Sequence, residues 1–224
     1  MPTSNDEQII QSWHLNAKAW TGAIKNQQIE SRIRVTNQAI IETVVAYQPT
    51  TALDVGCGEG WLCRALAAQS VEVTGIDVVP ALIDTAKQLG LGSYQCCAYE
   101  EIAEALAKHA KFDVAICNFS LLGKTSVESL LDAISNLLCR EGHFIIQTLH
   151  PLEADGDAPY HDGWRTGSWQ GFGPQFTTPA PWYFRTIESW QQQLYRSGFN
   201  RVECREPIHP ETQKPASMIF ICSN

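Results

Sequence analysis

A glycine-rich loop holds the residues of this chain whose types and spacing are best suited to chemistry, Leu53-Asp54-Val55-Gly56-Cys57-Gly58-Glu59-Gly60. A strand-like apolar run precedes the loop and a helix-like pattern follows it, which is the placement at which such a loop binds a ligand. Glycines permit a tight turn and let a ligand approach the backbone closely. The start of the following helix offers free N–H groups and a partial positive charge. The loop therefore predicts a site for a carboxylate or a phosphate.

Two acidic residues narrow the class of ligand that the loop is expected to bind. Asp77 ends the next predicted strand, where a carboxylate can accept hydrogen bonds from both hydroxyls of a ribose. Asp54 suits a ligand with an ammonium group and is poorly placed beside a pyrophosphate. The spacing Gly-x-Gly-x-Gly also differs from the dinucleotide pattern Gly-x-Gly-x-x-Gly. Two alternatives stay open at this point, a plain glycine turn with a helix-capping acid and a nicotinamide site.

The elements around this loop predict one α/β domain over residues 1–224. Short apolar strands alternate with amphipathic helices up to Leu149, which indicates a mostly parallel sheet covered on both faces. Thr125 with Glu128 predicts a capping box at the start of the best-defined helix. We expect an N-terminal helical cover (1–48), a cofactor-binding core (49–150), an aromatic-rich insertion (151–185) and a C-terminal helix with a pair of strands (186–224).

The C-terminal strand pair predicts the direction of the last strand. The two strands are expected near Arg201–Arg205 and 217–222, and the eleven residues between them include three prolines. A right-handed parallel crossover needs a dozen or more residues and usually contains a helix. The last strand is therefore expected to run antiparallel in a Rossmann-like sheet of seven strands.

The composition of the chain limits the kinds of partner that we expect it to bind. The formal net charge of the 224 residues is −8, which argues against nucleic acid because phosphates require a basic surface. The eight cysteines form no Cys-x-x-Cys pair, so we expect reduced thiols and no metal site. The apolar runs are strand-length and the N-terminus lacks a secretion-signal pattern, so we expect no membrane association and a cytoplasmic location. The oligomeric state stays open, with a homodimer among the options.

Four motifs together resemble those of class I S-adenosylmethionine-dependent methyltransferases. They are the glycine-rich loop, Gly75-Ile76-Asp77, Phe112-Asp113-Val114-Ala115-Ile116-Cys117-Asn118 and Gly142-His143-Phe144-Ile145-Ile146-Gln147. The resemblance covers residues 49–149 and is strongest to bacterial small-molecule enzymes of the quinone-biosynthesis type. It implies S-adenosylmethionine as cofactor, S-adenosylhomocysteine as product and an antiparallel final strand, which ordinary dinucleotide-binding domains lack.

The resemblance also implies a set of cofactor-binding residues. They are Asp54, Gly56, Cys57 and Gly58 along the methionine part, Asp77 at the ribose, Val78, Tyr99 and Glu100 around the adenine, Asn118 and Phe119 where the sulfonium meets the substrate, and Trp20 and Arg32 as a cover from the N-terminal helices. Arg32 would pair with the cofactor carboxylate, and the alternative for Arg32 is a solvated helix face.

The insertion from Pro151 to Arg185 is expected to be a substrate lid. It contains eight of the 21 aromatic residues of the chain, and connections of this length are usually functional or disordered. The aromatic content argues against disorder and suits a planar or apolar substrate. A surface cover that packs its own rings, or a dimer contact, is the alternative.

Three residues are candidates for catalysis. His150 directly follows the fifth strand and is the candidate general base, because the usual histidine pKa lies near working pH. The alternative is a histidine that only hydrogen-bonds the lid backbone. Tyr183 and Arg185 complete the set, and the arginine could pair with a carboxylate on the substrate.

The expected activity is methylation of a small molecule, at an oxygen of a planar or carboxyl-bearing acceptor. N- or C-methylation, including that of tRNA or protein, is the alternative within enzymes. A cofactor-binding regulatory protein without turnover is the alternative outside them.

Overall fold

The computed structural model describes residues 3–154 and 158–224, and its centre is a seven-stranded sheet. The strands of this sheet are β1 (Thr51–Val55), β2 (Glu72–Asp77), β3 (Ser93–Cys96), β4 (Phe112–Asn118), β5 (Leu138–Thr148), β8 (Arg201–Arg205) and β9 (Met218–Ser223). Their order is β3-β2-β1-β4-β5-β9-β8. The pairs from β3 to β5 are parallel, whereas β9 runs antiparallel to both β5 and β8. The predicted fold, including its antiparallel last strand, is confirmed.

Helices cover both faces of the sheet. They are α1 (Asn5–Lys25), α2 (Asn37–Val45), α3 (Trp61–Ala67), α4 (Pro80–Leu89), α5 (Ile102–Ala105), α6 (Thr125–Ile134) and α7 (Ile187–Arg196). A π-helical turn, Arg32–Thr36, leads directly into α2. No helix in the described ranges is both long enough and apolar enough to cross a bilayer.

Side chains alternate between two buried clusters along the central strands. Ala115 and Phe144 belong to the cluster beneath α6 and α7, whereas Ile116 and Ile145 belong to the cluster beneath α2 and α3. Burial on both faces is what a parallel sheet requires, because its crossover helices lie on both sides. The polar residues at the carboxyl ends of β1, β2 and β4 therefore lie next to the buried core.

The start of α6 is capped from a distant part of the chain. Asp6 of α1 accepts hydrogen bonds from the backbone N–H groups of Lys124 (3.1 Å) and Ser126 (3.2 Å). Lys124 is the N-cap residue of α6, and its side chain makes no capping hydrogen bond. The capping box predicted from Thr125 and Glu128 is therefore wrong, and α1 is joined instead to the loop that follows β4.

The aromatic-rich insertion carries a small sheet of its own, which the sequence did not predict. Strand β6 (Gly163–Arg165) pairs antiparallel with β7 (Trp182–Phe184). Residues 155–157 of the predicted lid lie outside the described part of the chain. The segment between β6 and β7 packs on α1 through contacts described below.

Candidate cofactor and acceptor site

The glycine-rich loop turns sharply at the carboxyl end of β1. Gly56, Gly58 and Gly60 have φ angles of 77°, 58° and 80°, in the left-handed region that favours glycine. A Cβ atom on Gly56 would lie 2.3 Å from the Cβ atom of Ser120. Glycine at position 56 is therefore required both by backbone conformation and by the close approach of the loop after β4.

Asp77 holds the loop to the end of β2. One of its carboxylate oxygens accepts a hydrogen bond from the Gly58 N–H and the other from the Val79 N–H, each at 2.9 Å. Burial raises the pKa of Asp77. Val78, the next residue, packs on a small cluster that includes Ala17 of α1. The acid thus ends β2, as predicted, and lies between the loop and α4.

Asp54 lies buried directly beneath the loop, with 1% of its surface exposed. The Cys63 thiol donates a hydrogen bond to its Oδ2 atom at 3.3 Å. Burial, opposed by this hydrogen bond and reinforced by the negative charges of Asp77 and Glu59, raises the pKa of Asp54 to about 7. Cys57 is also buried beside this acid. A positive charge placed near this group would favour its ionised form.

Arg32 lies at the glycine-rich loop, with its guanidinium over the rings of two tryptophans. Its guanidinium carbon is 4.6 Å from the centre of the Trp61 ring and 5.4 Å from that of Trp20. Its Nε–H donates to Asn37, and its buried Nη2 has no hydrogen-bond partner in the described residues. Burial lowers the pKa of Arg32 to about 10. The alternative of a solvated helix face is wrong, because Arg32 is only 8% exposed.

Trp20 and the π-helical turn bring the N-terminal region onto the loop. A Cβ atom on Gly58 would lie 3.6 Å from the indole Nε1 of Trp20. Arg32 stands in a π-helical turn, a rare conformation that is frequent at functional sites. The two candidates from the N-terminal helices therefore lie at the glycine-rich loop, as the resemblance implies.

Four further candidates lie at or just after the carboxyl ends of β3 and β4. The Tyr99 hydroxyl donates to the Ser120 carbonyl at 3.0 Å, and its side chain packs on the core beneath Gly56. Glu100 is exposed in the short turn after β3. Asn118 ends β4 with a buried Oδ1 that has no partner in the described residues. Phe119 follows at a φ of 54°, and its N–H donates to the carbonyl of the β5 residue beside Asn118.

Both ring nitrogens of His150 have hydrogen-bond partners within the chain. It is 3% exposed, its Nε2 lies 2.9 Å from a Glu206 carboxylate oxygen, and its Nδ1 accepts a hydrogen bond from the Leu152 N–H at 3.3 Å. Glu206 follows β8, the strand at the sheet edge. Because neither ring nitrogen is free, we abandon the general-base hypothesis for His150. Its bond to the lid backbone agrees with the alternative stated above.

Arg185 fastens the end of the insertion to the loop before α6. Its Nη1 donates to the Gly123 carbonyl at 2.9 Å, its Nη2 to the Lys124 carbonyl at 3.2 Å and its Nε to Gln193 at 3.2 Å. The guanidinium also stacks at 4.7 Å over the ring of Tyr183, whose own N–H donates to the Leu122 carbonyl. These contacts use every nitrogen of the guanidinium, so we do not carry forward a role for Arg185 in binding a substrate carboxylate.

Asn16 of α1 holds the insertion onto the N-terminal helix. Its Nδ2 donates to the Thr177 carbonyl at 2.7 Å and its Oδ1 accepts from the Thr177 N–H at 2.8 Å. Around this pair, aromatic rings of α1 and the insertion pack together with centroid separations of 4.9–6.4 Å. These rings, Trp13, Trp20, Trp169, Phe172 and Phe176, form an aromatic cluster that extends to the glycine-rich loop.

Replacing Asn16 by alanine is expected to release the insertion from α1. A buried peptide group left without its partner costs about 1–3 kcal/mol, so the open state should become about ten to a hundred times more populated. Limited thermolysin digestion should therefore cleave near Phe172 and Phe176 correspondingly faster. The exposed Asn26 at the end of the same helix provides the control, Asn26→Ala. Unchanged cleavage in Asn16→Ala would show that the aromatic rings alone hold the insertion.

Sequence reasoning missed several residues of this site. Trp61, Ser120 and Asn16 contact the loop, its neighbours or the insertion, yet none has a local signal, because each matters through a partner distant in sequence. Glu59 carries no sequence signal beyond its place in the loop, although it is buried and its Oε2 has no partner in the described part of the chain.

The strand order and the glycine-rich loop followed by an acid at the end of β2 define a class I methyltransferase. A family model described as a methyltransferase domain matches residues 30–204. The chain therefore belongs to the methyltransferase domain family, and its recognition as an S-adenosylmethionine-dependent class I methyltransferase is confirmed.

Individual known proteins are similar to this chain in sequence or in fold. The chain is 37% identical over 109 residues to the ubiquinone biosynthesis O-methyltransferase of Xylella fastidiosa (strain M23), covering 47% of this chain and 44% of that relative. The match thus spans less than half the length of the relative. A solved S-adenosylmethionine-dependent methyltransferase of Listeria monocytogenes aligns with a TM-score of 0.65 at 21% identity, over 84% of this chain and 96% of its own. The 1,6-didemethyltoxoflavin-N1-methyltransferase of Burkholderia thailandensis aligns over 100% and 92% at a TM-score of 0.68 and 17% identity.

Proposed function

We propose that this protein transfers the methyl group of S-adenosylmethionine to a small-molecule acceptor. The observation that carries the proposal is the buried Arg32 guanidinium, stacked between Trp20 and Trp61 at the glycine-rich loop, with an Nη2 atom that has no partner in the described residues. A buried donor of this kind is costly unless an acceptor completes it. The carboxylate of the cofactor is such an acceptor, and Arg is the side chain best suited to bind one.

The charges around the loop match the amino-acid end of this cofactor. Arg32 supplies a positive charge for a carboxylate, while Asp54 and Glu59 supply buried negative charges for an ammonium group. Asp77 would bind the ribose hydroxyls and Val78 would lie against the adenine. A pyrophosphate would meet two buried acids here, so this pattern favours S-adenosylmethionine over a dinucleotide.

The residues of the chain serve mainly to position the acceptor and to exclude water. The cofactor supplies a methyl group already activated by its sulfonium, so alignment and desolvation account for most of what the protein contributes. The aromatic cluster formed by α1 and the insertion covers the loop and offers ring faces that attract a cation. We propose an oxygen acceptor, as the name of the Xylella relative suggests for that protein. A carboxyl-bearing acceptor loses support because Arg185 is occupied.

Calorimetric titration with S-adenosylhomocysteine tests the cofactor proposal. We expect one molecule to bind per chain in the micromolar range, and NAD at the same concentration not to bind. A wild-type protein that binds NAD and not S-adenosylhomocysteine would contradict the proposal. Transfer of a labelled methyl group from S-adenosylmethionine to a small-molecule panel, with tRNA and protein as comparison substrates, then tests the acceptor class.

Stability is expected to depend on pH through Asp54. The pKa of this group is raised to about 7 in the folded protein, so folding favours its protonated form. That stabilisation is complete below the unfolded-state pKa near 4 and is lost as the pH rises through about 7. The loss is at most about 4 kcal/mol. Urea unfolding at pH 5 and pH 7.5 should show a smaller decline in Asp54→Asn than in wild type. The exposed Asp84 provides the control, Asp84→Asn, and equal declines in all three proteins would contradict the role of Asp54.

A further inference from the structure

Four polar residues form a layer at the carboxyl-terminal edge of the sheet, on the face covered by α2. Directly below three of them, isoleucines of one buried cluster come from α2, β4 and β5: Ile40, Ile116 and Ile145. Residues two apart on a strand share a face, and residues four apart on a helix lie one turn apart. One such step further toward the carboxyl-terminal edge lie Thr36, Asn118 and Gln147. Ser217, just before β9, joins them through a hydrogen bond from Gln147. These four residues are here called the polar layer.

The direction of α2 supports this arrangement. The ring of Tyr47, just after the end of α2, lies 3.9 Å from the ring of His143, which begins the part of β5 that pairs with β9. The helix therefore runs antiparallel to the parallel strands, and its first turn lies toward their carboxyl ends. Thr36 immediately precedes α2, so it lies toward the same edge of the sheet as Asn118 and Gln147, which are paired in register on β4 and β5.

The polar layer contains buried atoms that lack partners. The Thr36 hydroxyl, the Asn118 Oδ1 and the Gln147 Oε1 are buried without a hydrogen bond in the described residues. Thr36 is 2% exposed and Gln147 1% exposed. Within the layer, the Gln147 Nε2 donates to the Ser217 hydroxyl at 2.9 Å. The other unpartnered buried side-chain atoms of the described residues, on Arg32 and Glu59, belong to the cofactor site described above.

We propose that the polar layer recognises the methyl acceptor, and that this acceptor is an uncharged molecule that presents N–H or O–H donors. This inference rests on the proposed function. The two unpartnered carboxamide oxygens are hydrogen-bond acceptors on adjacent strands whose backbones lie about 4.8 Å apart. Two donors on one small planar molecule, or the two hydrogens of one amino group, can reach both. Because the layer contains no ionised side chain, it offers nothing to neutralise a carboxylate or a phosphate on the acceptor.

Buried atoms without partners lower the stability of the folded protein, and this effect gives a first test that needs no substrate. Thr36→Val removes a buried hydroxyl without a partner and keeps the shape of the side chain, so the midpoint of thermal unfolding should rise by about 2–4 °C. Thr43 provides a matched control, since it is buried on α2, directly after the turn that contains Thr36, and its hydroxyl donates to the Ala39 carbonyl at 2.7 Å. Thr43→Val should lower the midpoint. An equal fall in Thr36→Val would assign the hydroxyl a structural role and overturn the proposal.

Binding of matched fragments gives the second test. With the protein saturated in S-adenosylhomocysteine, catechol is compared with 1,2-dimethoxybenzene, and phthalimide with N-methylphthalimide, by ligand-detected NMR. We expect at least one donor-bearing fragment to bind about tenfold tighter than its methylated partner. Gln147→Met should abolish this difference, while Gln69→Met, a change in an exposed turn, should retain it.

The outcomes separate the two proposals. Equal binding within both pairs, no binding by any of the four fragments, or an unchanged preference in Gln147→Met would overturn the role of the polar layer. Gln147→Met should also keep its affinity for S-adenosylhomocysteine within about twofold of wild type, and a larger loss would place Gln147 in the cofactor site instead. A wild-type protein that does not bind S-adenosylhomocysteine would contradict the proposed function itself.

Discussion

Replacing Asp77 by alanine should weaken the binding of S-adenosylhomocysteine by at least about a hundredfold. The proposed ribose contact comprises two hydrogen bonds to a charged group, each contributing about 1.5–3 kcal/mol. The same carboxylate accepts the N–H groups of Gly58 and Val79, so its removal also loosens the loop that the cofactor would contact. Isothermal titration of wild type and Asp77→Ala measures the difference directly.

Two further proteins make the Asp77 result specific. Asp77→Asn keeps one carbonyl acceptor and should give an intermediate affinity, whereas Asp84→Ala, an exposed acid on the following helix, should bind like wild type. Wild type should also bind adenosine more tightly than 2′,3′-dideoxyadenosine, and this preference should disappear in Asp77→Ala. An affinity within threefold of wild type in Asp77→Ala would mean that another group holds the ribose.

The parts of the fold that could be predicted from sequence depend on local patterns. Strands β1 and β4 are largely buried, mostly apolar runs, and the glycine-rich loop is marked by residues that its left-handed turns require. The antiparallel direction of β9 followed from the length of a single connection, which is also local information. These features needed no knowledge of what lies across the molecule.

The parts that could not be predicted depend on contacts between distant segments. The pattern of Thr125 and Glu128 is a genuine local signal for a cap, yet Asp6 occupies that position from the other end of the chain. Arg185 likewise resembles a substrate-binding arginine in sequence, but three backbone and side-chain acceptors already surround it. A charged residue can serve a fold or a ligand equally well, and only its partners distinguish the two.

Arg32 illustrates the opposite outcome. Nothing local distinguishes it from Arg34, two residues later, which is exposed and paired with Glu30 and Glu211. The π-helical turn places Arg32 inward, against Trp20 and Trp61, and one of its donors has no partner among the residues that the structure describes. Burial of a guanidinium under these conditions lowers its pKa to about 10 and costs stability. Such a cost is expected where a ligand completes the contacts.

Arg32→Met should therefore weaken S-adenosylhomocysteine binding by about thirtyfold or more, since it removes a charged hydrogen-bond donor that contributes about 2–3 kcal/mol. The same change should leave binding of 5′-methylthioadenosine within about twofold of wild type, because that ligand lacks the amino-acid group. Methionine keeps the stem of the side chain between the two tryptophan rings, so the midpoint of thermal unfolding should stay the same or rise.

The comparison of the two ligands decides what Arg32 does. A carboxylate-binding role requires that the loss depend on the amino-acid group, whereas a purely structural role would weaken both ligands equally. Arg34→Met is the matched control, because it removes an exposed arginine from the same turn. It should leave both affinities unchanged at 0.15 M salt, where long-range attraction between surface charges and the ligand is largely screened. Equal losses of affinity for both ligands in Arg32→Met would mean that another donor binds the carboxylate. Arg32 would then only support the two tryptophan rings.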